Sequence, residues 1–145
     1  MKALVQRVSE AHVVVAGDIV GRIGQGLLVL LGVEKDDNPL RAEKLLDKIL
    51  NYRLFQDSDN KMNLSVHDVQ GGILLVSQFT LVADTRKGLR PSFSSAAPPA
   101  LAHSLYQHAL DFLQARLPDV QAGRFAADMK VHLVNDGPVT FLLES

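Results

Sequence analysis

The sequence predicts an α+β fold with an antiparallel or mixed β-sheet system, and three observations support this. Apolar, β-prone runs lie before, between and after two segments with helical periodicity. The 145 residues are 47% hydrophobic and 21% charged, which is enough to bury one full core. No internal repeat or low-complexity segment interrupts the pattern. We expect a single domain over residues 1–145, with sheets in a barrel-like or sandwich layer and two main helices packed on it.

The first third of the chain is mostly strand. Residues 2–8 and 11–16 are rich in β-branched residues and predict two strands. A turn at Gly17-Asp18 leads to a short strand over 19–23. Residues 27–33 are apolar on both faces, which is typical of a central strand buried on both sides.

The first helix has a clear start signal. Asn38 suits the N-cap and Pro39 the first helical position. Apolar residues then follow at helical spacing, namely Leu45, Leu46, Ile49 and Leu50. An extended piece begins at residues 53–55, and residues 66–72 are interpreted as a hairpin connection.

The second half repeats the alternation of strand and helix. Residues 73–76 predict a second buried strand, and residues 82–97 a long loop of a length that often carries function. A helix is expected from Pro98-Pro99 to about Leu117, with inward-facing Leu101, Leu105, Phe112 and Leu113. Residues 127–134 and 139–143 predict two strands around a Gly-Pro turn.

Composition excludes several kinds of chemistry. The chain has no Cys, so disulfides, thiolate zinc sites and cysteine nucleophiles are excluded. The five histidines lack metal-ligand spacing, so no metal site or cofactor is predicted. A net charge of −1 argues against non-specific nucleic-acid binding, although Arg86, Lys87 and Arg90 form one basic cluster in a single loop.

The amino-terminal residues give no targeting signal. Charge interrupts residues 1–7, which therefore do not form the apolar region of a signal peptide. The longest uncharged apolar runs are far shorter than a bilayer span. A cytoplasmic location is expected.

One candidate site is Ser77-Gln78-Phe79-Thr80-Leu81, where polar residues end an apolar strand. If the strand continues, Gln78 and Thr80 share one face and Ser77 and Phe79 the other. Free backbone amides at a strand end could bind a developing oxyanion. The simpler interpretation is the polar face of a half-exposed strand.

A second candidate is Asp136-Gly137-Pro138, which on composition alone is an ordinary turn. Arg7 lies inside the first predicted strand. Its guanidinium could face solvent, or it could donate to a backbone carbonyl as a fixed fork.

Together these segments resemble the D-aminoacyl-tRNA deacylase family. The matching segments cover essentially the whole chain in order, and they are Gln6-Arg7-Val8, residues 76–81, residues 87–93, residues 123–129 and residues 134–140. The resemblance implies a homodimeric hydrolase that cleaves the ester between a D-amino acid and the 3′ end of tRNA, and that also acts on glycyl-tRNA. It further implies a cis Gly137-Pro138 bond whose turn enters the partner's site and rejects L-amino acids sterically.

The resemblance also assigns roles to single residues. Ser77, Gln78, Phe79 and Thr80 would be catalytic, and Gly137, Pro138, Arg7 and Met129 would bind substrate, with Arg7 bracing the turn across the dimer. Thr80 is either a covalent nucleophile or a bystander while the substrate's 2′-hydroxyl assists; we favour the second, because no base neighbours Thr80 in sequence. A generic small-substrate esterase and a non-catalytic tRNA-binding module remain as alternatives.

Overall fold

The computed structural model describes residues 1–145 and confirms the α+β class. Its eight strands are β1 (Lys2–Val15), β2 (Asp18–Ile23), β3 (Gly26–Gly32), β4 (Phe55–Gln56), β5 (Met62–Leu64), β6 (Gly72–Ser77), β7 (Val120–Ala122) and β8 (Lys130–Glu144). The two α-helices are α1 (Pro39–Asn51) and α2 (Pro99–Gln114), and a 3₁₀ turn spans Phe79–Val82.

The main sheet is mixed and curls into a nearly closed barrel. Strand β1 is its longest inner strand: one edge pairs antiparallel with β2 and β3, and the other edge pairs antiparallel with β8. Strands β3, β6 and β7 are parallel neighbours. Strands β4 and β5 form a separate two-stranded sheet.

The central strands are buried on both faces, as predicted. Leu27, Val29 and Leu31 face a core shared with both helices, whereas Leu28 and Leu74 face the inside of the curled sheet. In α1 the Asn38 side chain accepts a hydrogen bond from the Arg41 amide at 3.0 Å, which confirms the N-cap. The predicted apolar stripe of α1 is fully buried and consists of Leu45, Leu46, Ile49 and Leu50.

Several boundaries differ from the prediction. The two strands expected over 2–8 and 11–16 are one continuous strand. Residues 66–72 do not connect a hairpin, because β5 pairs with β4 while β6 pairs in parallel with β3. Helix α2 ends at Gln114, and its expected inward residues Leu101 and Phe112 are only half-buried.

The two strands expected around the Gly-Pro turn are also a single strand, β8. Both of its halves pair with β1, since Gln6 lies opposite Thr140 and Val8 lies opposite Asn135. Residues 136–139 therefore bulge out of the strand opposite Arg7, and the chain does not reverse direction there. The two predicted strands form one strand because both halves pair with β1. Sequence periodicity does not encode which strands pair.

The amino group of Met1 lies in a buried cluster beside α1. It donates to Asp37 Oδ1 and to Glu34 Oε2, both at 2.8 Å, and the side chains of Met1 and Asp37 are fully buried. Asp37 also accepts from the Glu34 amide at 2.7 Å. The cluster ties the start of β1 to the segment that leads into α1.

Asp37→Asn is expected to lower the free energy of unfolding by about 3 kcal/mol, because it removes the fully buried one of the two carboxylates that neutralise a buried ammonium. Chemical denaturation measures the loss. The matched control is Asp36→Asn, whose side chain is exposed and whose substitution should change stability by less than about 0.5 kcal/mol. Equal stability of the two variants would contradict the role given to the cluster.

Candidate active site

The first candidate segment changes conformation partway along its length. Strand β6 ends at Ser77, and the 3₁₀ turn begins at Phe79. The Gln78 amide donates to the Leu31 carbonyl at 2.8 Å, close to the point where the neighbouring strand β3 itself ends. Because no further strand residue is available as a hydrogen-bond partner, the chain turns here. The prediction that Gln78 and Thr80 share one face of a strand, and Ser77 and Phe79 the other, is therefore wrong.

The turn presents a small set of polar groups. The first two amides of the turn, those of Phe79 and Thr80, have no acceptor within it. The Gln78 amide is already used, so it is not available to a ligand. The exposed Thr80 hydroxyl accepts a hydrogen bond from the Gln78 side-chain amide, and an amide cannot remove a proton from it. The segment thus offers hydrogen-bond donors and no activating base.

A cavity of about 520 Å³ opens beside this turn. It lies between the end of β6, the start of α2 and the segment that precedes β8. Three of the four residues predicted to be catalytic, Ser77, Gln78 and Phe79, line it together with the predicted binding residue Met129. The remaining wall is largely apolar and includes Ala97, Ala102, Tyr106, Phe125 and Val131.

Two aromatic residues of this wall were not predicted from the sequence. The Tyr106 hydroxyl donates to the Leu75 carbonyl at 2.9 Å, and burial raises the pKa of Tyr106 to about 12, so the phenol stays protonated at neutral pH. Phe125 stacks on His103 with ring centroids 4.8 Å apart. Tyr106 could have been found from the sequence, because it lies on the apolar face of a predicted helix and a buried tyrosine hydroxyl needs a hydrogen-bond partner.

Arg7 contacts the second candidate segment from the inside of the protein and holds it in place. Its side chain is buried; Nε donates to the Asp136 carbonyl at 2.9 Å, and Nη1 donates to the Leu54 carbonyl at 2.7 Å. The fork-donor interpretation is therefore confirmed and the solvent-facing one is wrong. Both of these bonds lie within one chain, and a role of Arg7 across a dimer stays a prediction.

The Gly-Pro turn is fixed from both sides. The bond between Gly137 and Pro138 is cis, as predicted. Asn135 closes the base of the bulge, because its Oδ1 accepts from the Val139 amide at 2.7 Å and its Nδ2 donates to the Val139 carbonyl at 3.3 Å. Gly137 and Pro138 themselves are exposed, so a well-anchored turn points outward from the barrel.

The turn and the cavity are separate within one chain. Neither Gly137 nor Pro138 lines the cavity, and Arg7 does not either. Strands β1 and β3 lie between β8 and β6, and the strand register places the turn level with Ile73 rather than with Ser77 at the other end of β6. One chain therefore brings Ser77, Gln78, Phe79 and Met129 together, places Thr80 beside them, and leaves the Gly-Pro turn elsewhere.

No three His, Cys, Asp or Glu side chains are grouped so that they could hold a metal ion. No helix is long and apolar enough to cross a membrane.

The fold and these two features define a small α+β protein with an aromatic-lined cleft at a polar strand end. Residues 4–144 match the family described as D-Tyr-tRNA(Tyr) deacylase. The chain is 65% identical over its full length to the full-length D-aminoacyl-tRNA deacylase of Stutzerimonas stutzeri (strain A1501), and 63% identical over the full length of both chains to that of Pseudomonas aeruginosa (strain LESB58). The chain belongs to the D-Tyr-tRNA(Tyr) deacylase family.

Solved structures also resemble the chain, two of them over nearly its full length. The c-Myc DNA Unwinding Element Binding Protein superposes with a TM-score of 0.95 at 44% identity, over 100% of this chain and 99% of that one. A probable eukaryotic D-amino acid tRNA deacylase superposes with a TM-score of 0.84 at 16% identity, over 99% of this chain and 98% of that one, which is a likeness of fold alone.

Proposed function

We propose that this protein hydrolyses the ester bond of D-aminoacyl-tRNA and releases the D-amino acid and free tRNA. Membership of the deacylase family and full-length relatives named D-aminoacyl-tRNA deacylase support the reaction. The observation that carries the proposal is the aromatic-lined cavity beside Gln78 and Phe79, which has the size and the stacking surfaces to take the terminal nucleoside of a tRNA. A cytoplasmic location, where charged tRNA is found, is part of the same proposal.

The chemical step that we propose relies on the substrate's 2′-hydroxyl. With the help of that hydroxyl, water attacks the carbonyl carbon of the ester, and the free amides of Phe79 and Thr80 stabilise the oxyanion that forms. The bond between the carbonyl carbon and the ribose 3′-oxygen then breaks, and a proton from the attacking water passes to that oxygen, so the products are the free amino acid and tRNA with a 3′-hydroxyl. Ser77 and Gln78 position the substrate, and Met129 packs against it. Covalent catalysis by Thr80 is disfavoured, because its hydroxyl is bonded to an amide rather than to a base.

Selection against L-amino acids is proposed to need a second copy of the chain. The Gly-Pro turn is rigidly held, exposed and remote from the cavity of its own chain. Large apolar side chains are exposed near both features, with Phe79 at 61% and Leu142 at 53% of full exposure. A homodimer that covers them would bring the turn of one subunit to Thr80 of the other. Its rigid backbone would exclude an L side chain and accept D-amino acids and glycine.

The test is hydrolysis of matched D- and L-aminoacyl-tRNA, with glycyl-tRNA as a third substrate. We expect release from the D and glycyl substrates, little release from the L substrate, and no loss of rate with a chelator. Equal turnover of both enantiomers would reject the selection mechanism. Hydrolysis of small esters with no preference for tRNA would favour a generic esterase, and binding without hydrolysis would favour a tRNA-binding module.

Thr80→Ala is expected to keep kcat within about tenfold of the wild type, because the variant retains the backbone amide and loses one hydrogen bond. A covalent nucleophile would instead be worth about 10⁶-fold, as for a catalytic serine. Single-turnover kinetics measures the difference. A trapped acyl-enzyme on Thr80 would rule out the substrate-assisted route.

A further inference from the structure

The charges around the cavity are distributed unevenly along the chain. Most of the lining residues come from two segments, residues 77–97 and residues 122–131, which together are called the rim. They contain five Lys or Arg residues and two Asp residues, so the rim carries a charge of +3 while the whole chain carries −1. The remaining residues therefore sum to −4, and the positive charge is concentrated in the two segments that supply most of the cavity lining.

Ion pairs use part of this charge. Arg86 holds Asp84 through bonds of 2.9 and 2.6 Å, and these bonds keep the pKa of the Asp84 carboxyl far below its usual range. Lys130 pairs with Asp128 at 2.9 Å. Both carboxylates of the rim are thus neutralised by neighbours. Three exposed cations have no carboxylate within ion-pair distance, namely Lys87, Arg90 and Arg124.

The loop that carries Lys87 and Arg90 is anchored at its base. Asp84 and Ser92 exchange two backbone hydrogen bonds of 2.7 and 3.0 Å. The Ser95 hydroxyl donates to the Val82 carbonyl at 2.6 Å. The Phe93 ring lies 5.1 Å from that of Phe79, which lines the cavity. The loop is therefore fixed to the same turn as the candidate catalytic residues, and only its tip extends into solvent.

We propose that Lys87 and Arg90 bind phosphates of the single-stranded 3′ end of tRNA, with Arg124, which precedes the lining residue Phe125, as a third contact. The inference rests on the proposed function, in which the cavity holds the terminal nucleoside. The tRNA strand that precedes that nucleoside must then run out of the cavity, so its phosphates pass along the rim. Unpaired cations on an anchored loop suit a polyanion that is recognised by charge rather than by base sequence.

The experiment compares Lys87→Gln/Arg90→Gln with the wild type on two substrates, D-aminoacyl-tRNA and 3′-O-D-aminoacyl-adenosine, which lacks the preceding phosphates. On tRNA we expect kcat/KM at 0.15 M salt to fall about tenfold. The slope of log kcat/KM against log salt should become shallower by about 1.4, at about 0.7 for each single-stranded phosphate contact. The matched control removes two exposed lysines away from the rim, Lys44→Gln/Lys61→Gln, and should change neither quantity.

Each outcome separates this inference from the proposed function. A similar loss on the adenosine substrate, an unchanged salt slope, or a changed oligomeric state by light scattering would overturn the phosphate contact. If the wild type hydrolyses neither substrate, the proposed function fails. Binding of uncharged tRNA then still tests whether Lys87 and Arg90 contact phosphates. The double variant should then bind about tenfold more weakly, and equal binding would overturn the proposal.

Discussion

Replacing Arg7 by methionine is expected to lower kcat/KM for D-aminoacyl-tRNA by about 10²-fold. The Arg7 side chain is buried and is the donor that fixes both the Asp136 carbonyl, next to the Gly-Pro turn, and the Leu54 carbonyl. Methionine fills similar space and donates to neither, so two carbonyls lose their partner and the turn shifts. A displacement of about 1 Å in a positioning element is enough for a loss of this size.

Two controls accompany this variant. Arg7→Lys keeps the charge and loses the planar fork, so an intermediate activity is expected. Arg53→Met removes an exposed arginine and should leave activity unchanged. Activity is measured at a temperature at which circular dichroism shows each variant to be folded. Full activity of folded Arg7→Met would mean that the brace does not position the turn.

Gly137→Ala is expected to lower the ratio of D to L hydrolysis by about tenfold or more. The φ angle of Gly137 is +145°, which L residues with a side chain rarely adopt. A Cβ there would lie 2.7 Å from Val139 Cγ2 and 3.1 Å from Arg7 Nη2. Backbone strain of about 1–3 kcal/mol would displace the turn, and L substrates should gain relative to D substrates.

Gly24→Ala is the control for this prediction, because its added Cβ would meet no atom within 4 Å. Hydrolysis of both enantiomers is measured side by side for each variant. If Gly137→Ala loses D and L hydrolysis to the same extent, the turn positions the substrate without distinguishing the two enantiomers. An unchanged ratio in a folded, active variant would remove the turn from selection altogether.

Sequence patterns predicted those parts of the fold that depend on residues close together in the chain. The Asn38 cap, the Pro39 start and the buried stripe of α1 depend on residues within a few positions of one another. The two-sided burial of β3 follows from an uninterrupted apolar run. Strand pairing is different, since β8 joins β1 from the other end of the chain and no periodicity indicates that both of its halves share one neighbour.

The candidate site shows the same division. The segments around Gln78 and Gly137 were found from the sequence because both resemble segments of the deacylase family, whereas their composition alone fits a half-exposed strand and an ordinary turn. The cavity was not found, because its wall combines the end of β6, one face of α2 and the segment before β8. The 3₁₀ turn at Phe79 was missed since it arises where β3 stops offering ladder partners, which is a property of the neighbouring strand.

The pairing of β1 with β8 has a consequence for the order of assembly during translation. Lys2 pairs with Glu144, so at about 5–20 residues per second β1 waits on the order of ten seconds for this neighbour. Contacts of such long range also slow folding itself. The segment at 125–131, which completes the cavity, and the Gly-Pro turn emerge almost together. Under the proposed function, neither the cavity nor the turn that a second copy contributes can act until synthesis of each chain is nearly complete.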